Sequence, residues 1–147
     1  MQTISERILL TVWIGGMWMV GFVVTPTLFH LIDDRSLAGT VAGQLFNITA
    51  YLGLFCGGLL LVNVLVYSSL RFYANWRVWI LVSMLILVAF GLFVITPMMS
   101  DIRDAGMLAT DKARFDLLHR SASVLFSITS LCGLIIVIFG LREKTAI

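Results

Sequence analysis

The chain has 147 residues, 60% of them hydrophobic and 12% charged, with a formal net charge of +2, whereas globular domains carry about a quarter charged residues. Together with a mean hydropathy of +1.03, this is the composition of a chain whose solvent is lipid, and it leaves no length for a separate soluble domain. The 10 basic and 8 acidic side chains form no basic run, so the electrostatic footprint of nucleic-acid binding is missing.

The first expected helix covers residues 7–31, with a charge-free run from Ile8 to Leu31 that exceeds the roughly 20 residues needed to cross hydrocarbon. It is also longer than the roughly 7–15 apolar residues of a cleaved signal, so the helix is expected to be kept. Gly15 and Gly16 give it a flat patch, and Pro26 closes the run FVVTP near its far end. The second helix is expected over 37–70. It holds two GxxxG spacings, Gly39 to Gly43 and Gly53 to Gly57, where small residues one turn apart let helices approach closely. The third is expected over 76–99 and contains FVITP, whose Pro97 is the second and last proline of the chain, followed by Met98 and Met99.

The fourth helix is expected over 111–141, capped by Thr110 or Asp111. Asp116 precedes Arg120 by one turn, the favourable order for an ion pair within a helix. His119, Ser123 and Ser127 recur every four residues, a polar stripe expected to bond a neighbouring helix. Cys56 and Cys132 lie inside apolar runs without a CxxC neighbour and read as reduced packing residues.

The expected fold is an all-α integral membrane protein, a four-transmembrane-helix bundle forming one domain over 1–147. Superposing Pro26 on Pro97 also superposes Phe22 on Phe93, Thr25 on Thr96 and Asp33 on Asp104, which suggests two pseudo-repeated helical hairpins. Proline frees the carbonyl one turn earlier and bends a helix; here those carbonyls belong to Phe22 and Phe93. The Thr25 and Thr96 hydroxyls are expected to satisfy nearby backbone, with the bends flaring the bundle at one end.

Four spans place both termini on one side, together with the Arg71 to Asn75 turn. Arg7, Arg71, Arg77, Arg142 and Lys144 then stand against Arg35, Arg103, Lys112, Arg114 and Arg120. The positive-inside count is tied, and cytoplasmic termini are the expectation adopted.

Helix parity gathers His30, His119, Met98 and Met99 at the loop end, with Asp33, Asp34 and Asp101 beyond them. Imidazole suits haem iron, copper and zinc, and thioether sulfur suits copper(I). A haem or copper site using His119 with His30 or Met99 is therefore one reading, and Ser123 belongs to the same polar stripe. The other reading makes both histidines interfacial residues that bond backbone, loops or lipid headgroups. No ionisable residue occupies the middle of a span and Asn63 is the only amide well inside, which speaks against a proton-coupled transporter. No nucleophile and base share a motif, so no catalytic residue is expected.

The runs LLTVWIGGMWMVGFVVTPTLF, DDRSLAGTVAGQLF, ITPMMSDIRDAG and FDLLHRSASVL resemble the bacterial branch of the transmembrane protein 205-like family, also known as domain of unknown function 4149. Carried onto this sequence, the motif positions are Trp13, Gly15, Gly16, Pro26, Phe29, Ala38, Gly39, Gly43, Phe46, Pro97, Met99, Phe115, His119 and Ser121. Arg120 stands where many members resemble the last motif with glycine. The resemblance implies a bacterial inner-membrane location and a multi-pass fold rather than an activity. The layout is also thinly similar to copper resistance D-type proteins and to haem-dependent protoporphyrinogen oxidase.

Three functional readings follow. The preferred one is a non-catalytic accessory or assembly protein that packs, within the lipid bilayer, with a second copy or a partner membrane protein. The alternative is a haem- or copper-binding membrane protein, and the third a small-solute or lipid transporter.

Overall fold

The computed structural model describes residues 4–67, 76–106 and 111–140. The first span runs through α1 (Ile4–Trp18), a π-helical segment π1 (Met19–Val24) and α2 (Thr25–Leu31). The second is α3 (Arg35–Tyr67). The third repeats the pattern of the first, with α4 (Trp76–Phe90), π2 (Gly91–Ile95) and α5 (Thr96–Asp104), and the fourth is α6 (Lys112–Gly140). Ile4–Leu31, Arg35–Val66, Trp76–Asp104 and Lys112–Phe139 are each long and apolar enough to cross a membrane. The protein is thus an all-α, multi-pass membrane protein, with Ile8, Phe55, Ile86 and Phe139 turned outward, as a lipid solvent favours.

Local chemistry sets the ends that differ from the expected ones. The Asp34 side chain accepts the backbone N–H groups of Ser36 and Leu37 at 2.8 and 3.2 Å. This satisfies donors that a helix start leaves bare, so α3 begins at Arg35 rather than at 37. The third span continues past Met99 to Asp104. It stops where Gly106 takes φ 85 and donates its N–H to the Arg103 carbonyl at 3.1 Å, a left-handed turn suited to glycine. The Arg71 to Asn75 turn and Thr110 lie outside the described residues.

The helices form a ring: α1 packs on α3 and α6, and α4 packs on the same two. Trp13, 1% exposed, fills the centre with Met84 and Cys56. Its indole lies against Gly53 and Gly57 of α3. A Cβ at Gly57 would come within 2.7 Å of the indole and 2.6 Å of the Leu85 side chain, and one at Gly53 would overlap the ring. This GxxxG pair therefore admits a tryptophan side chain, not a second backbone. Gly133 gives Ile14 the same room from α6. Cys56, buried, and Cys132, half-buried, are both free thiols.

The two prolines have a shared local form. In π1 the backbone N–H of Thr25 donates to the Val20 carbonyl, and the Thr25 hydroxyl donates to the same oxygen at 2.8 Å. In π2 Thr96 does the same to Gly91, with the hydroxyl at 3.0 Å. The acceptors are thus Val20 and Gly91 rather than Phe22 and Phe93. A π turn moves the acceptor of each N–H one residue further back, so the threonine ahead of the proline doubles up on the carbonyl that turn reaches. Val20 and Gly91 correspond when the prolines are superposed.

Candidate functional site

At the loop end four helices meet through a few side chains. The Phe29 ring of α2 lies 3.9 Å from where a Cβ would stand on Gly39 of α3. The half-buried Arg103 of α5 reaches between α3 and α6. One of its guanidinium nitrogens lies 4.0 Å from a Cβ position on Gly43, and its carbon lies 5.9 Å from the Phe115 ring centre. A cation over an aromatic face is held by the ring quadrupole. Phe115 in turn faces His119 one helical turn on, with ring centroids 6.5 Å apart and planes 4° from parallel. Gly39 and Gly43 thus leave room for Phe29 and Arg103, in ordinary contact rather than tight approach.

His119 is brought together with Phe115 and, through it, Arg103. His30, exposed at the end of α2, has no hydrogen bond or ring contact among the described residues. Met98 and Met99 are half-buried on α5. Among the described residues no three His, Cys, Asp or Glu side chains stand close enough to hold a metal ion.

Two expectations for α6 are corrected. The stripe does not bond a neighbouring helix: Ser123 donates to the His119 carbonyl and Ser127 to the Ser123 carbonyl, both at 2.9 Å and both exposed. Ser121 likewise donates to the Leu117 carbonyl at 3.0 Å. In an apolar setting the nearest acceptor for a helical serine is its own backbone one turn back. Asp116 and Arg120 form no ion pair among the described residues. Arg120 instead lies along a cleft between the third and fourth spans, with Phe90, Ile95, Ser121, Val124 and Leu125.

An interhelical hydrogen bond of α6 comes from a residue outside the stripe. Trp18 of α1 donates its indole N–H to the Ser130 hydroxyl at 2.6 Å. Beside it, edge-on ring contacts link Trp18 to Phe22, Phe22 to Phe126 and Phe126 to Phe46 at 6.2, 5.8 and 5.6 Å. They tie the first, second and fourth spans together, and Gly21 makes room for the Phe126 ring. Tryptophan and serine facing each other across helices leave no periodic trace in one sequence, so this pair was not foreseeable from spacing.

The profile of a family described as a domain of unknown function (DUF4149) matches residues 8–107. The chain belongs to the DUF4149 family. The matched region takes in the first three spans, including both Thr-Pro segments, the five glycines of α3 and Arg103. It ends before α6, so Phe115, His119 and Ser123 lie beyond the DUF4149 match. Comparison with curated proteins finds no match, nor does comparison with solved structures.

Proposed function

We propose that this DUF4149 protein is a non-catalytic membrane protein, an accessory or assembly factor that acts by packing an outward helical face against a second copy or a partner membrane chain. The observation that carries this reading is the filling of the bundle. Trp13, Met84 and Cys56 close its axis, and Ser123 and Ser127 of α6 turn back onto their own helix. The surface left for interaction is therefore the outer one. On it Gly15 is exposed, with nothing within 4 Å of its Cβ position, whereas Gly57 is already occupied by Trp13. The motif resemblance supports placing the protein with the bacterial transmembrane protein 205-like proteins in the inner membrane; cytoplasmic termini are the orientation adopted, on a positive-inside count that is tied.

The test separates those two glycines. The wild type is expected to run as a larger species than a single chain by gel filtration in mild detergent, and Gly15→Leu to lose that species while keeping the melting temperature, because it obstructs only an outer face. Gly57→Leu is expected to lower yield and melting temperature, because the added side chain displaces Trp13. A wild-type protein that runs as a single chain and cross-links to nothing in native membranes would overturn the proposal. A visible haem band, or stoichiometric copper lost in His119→Ala, would replace it with the cofactor reading.

A further inference from the structure

The cleft beside π2 has a volume of about 290 Å³ and is lined by Phe90, Ile95, Arg120, Ser121, Val124 and Leu125. Its walls are apolar side chains of the third and fourth spans. Gly91 adjoins the lining residue Phe90 in the chain, and the nearest side-chain atom to a Cβ position on it is Cδ1 of Leu125, another lining residue, at 4.0 Å. Phe90 and Val124 are exposed, so the cleft faces outward, where the spans meet lipid. Ser121 has its hydroxyl engaged by the Leu117 carbonyl and brings no free donor to the cleft.

Arg120 is the one charged group on these walls, and no carboxylate pairs with it among the described residues. Its depth follows from the sequence. From Ser121 to Gly140 α6 carries no charge, a stretch of about 30 Å at ~1.5 Å per residue, the thickness of the hydrocarbon core. Arg120 therefore stands at the edge of hydrocarbon, where an arginine lays its stem along apolar surface and turns its guanidinium to the headgroup layer. A guanidinium matches a phosphate with two parallel hydrogen bonds. Around it α6 is more basic than acidic, with Lys112 and Arg114 against Asp116.

From the apolar cleft, its outward mouth and the unpaired cation at the hydrocarbon edge, we infer that this is a binding site for one anionic phospholipid, with an acyl chain in the cleft and the headgroup phosphate on Arg120. The inference does not depend on the accessory role, because lipid retention is read on single chains. Arg120 selects for headgroup charge, and the apolar side chains of Phe90, Ile95, Val124 and Leu125 hold the chain.

Native mass spectrometry of the detergent-solubilised protein, titrated with phosphatidylglycerol or phosphatidylcholine, tests it. One phosphatidylglycerol is expected to be retained at roughly tenfold lower concentration than phosphatidylcholine, because either phosphate can meet Arg120 but the choline ammonium sets a like charge beside it. Arg120→Gln is expected to bring the two lipids within about twofold of each other. Gly91→Leu, or Val124→Trp from the opposite wall, is expected to abolish retention of both while leaving melting in lipid-free detergent unchanged. Equal retention of the two lipids by the wild type, or an undiminished preference in Arg120→Gln, overturns the inference. Displacement by millimolar inorganic phosphate would show a phosphate site without an acyl-chain cleft and would overturn it too, as would a dimer lost in Val124→Trp.

Discussion

The two Thr-Pro segments share a backbone and differ in what stands beside it. In both, a threonine ahead of the proline gives two donors to one carbonyl, Val20 in π1 and Gly91 in π2, and Phe22 and Phe93 are exposed alike, at 62% and 61%. Beside π1 the Phe126 ring fills the space over Gly21, Phe22 takes part in a chain of edge-on rings, and Trp18 bonds Ser130. Beside π2 Phe93 has no ring partner among the described residues, and the nearest side-chain atom to a Cβ position on Gly91 is Leu125 Cδ1, at 4.0 Å. The local sequence decides that the helix widens into a π turn; side chains remote in sequence decide whether the widened place is packed or open.

Removing the filler of the packed segment is expected to have the largest effect. Phe126→Ala loses two edge-on contacts worth about 0.5–1.5 kcal/mol each and leaves a void, costing about 2–3 kcal/mol. Denaturation in mixed micelles would read it, and it would give π1 the openness of π2. A cost no larger than that of Val124→Ala at the open segment would end the distinction between them.

Adding bulk makes the same comparison from the other direction. Gly21→Leu meets the Phe126 ring, which must turn aside, and is expected to cost about 1–2 kcal/mol. Gly91→Leu meets no side-chain atom nearer than 4.0 Å from its Cβ and is expected to be neutral within about 0.5 kcal/mol. Equal costs in the same micelles would mean that the cleft is not open.

The four spans were legible because length and apolarity alone decide them, and the Thr-Pro repeat was legible because proline has few tolerated places in a helix. The destination of the GxxxG pairs was not. Gly53–Gly57 and Gly39–Gly43 look alike in sequence, yet one holds a buried indole and the other lies loosely beside Arg103. Which side chain faces a groove depends on how far each helix is rotated, and a single sequence carries no register between helices. The same gap misdirected the serine stripe, whose spacing marks a helix face but not what that face meets. Histidine placement at the loop end followed from span parity, while the Phe115–His119 stack and the reach of Arg103 are side-chain matters that parity leaves open.

Trp18→Phe isolates the polar part of the packed segment. It keeps most of the ring and removes the indole N–H, leaving the Ser130 hydroxyl without its 2.6 Å partner. Interhelical hydrogen bonds in membrane proteins average about 0.6 kcal/mol and reach about 1.7, so a loss of about 1 kcal/mol is expected in the micelle assay. Ser130→Ala alone should cost as much, and the double variant no more than either single one, because both remove one bond. Additive losses would mean that Trp18 and Ser130 act separately.

The smallest effects test the equivalence of the two segments directly. In Thr25→Val and Thr96→Val the side chain keeps its shape and loses its hydroxyl, so no new unsatisfied group is created on the side chain. The carbonyl of Val20 or Gly91 still receives the backbone N–H of the substituted residue, so each loses only the second of two donors. A cost below about 0.6 kcal/mol is expected for each, and the two costs should agree, since the geometry around each threonine is the same whether its neighbourhood is packed or open. Agreement would place the origin of the π turn in the local Thr-Pro sequence. A clearly larger cost for Thr25→Val would instead mean that the aromatic packing around π1 leans on that hydroxyl, and the two segments would then share a shape without sharing a cause.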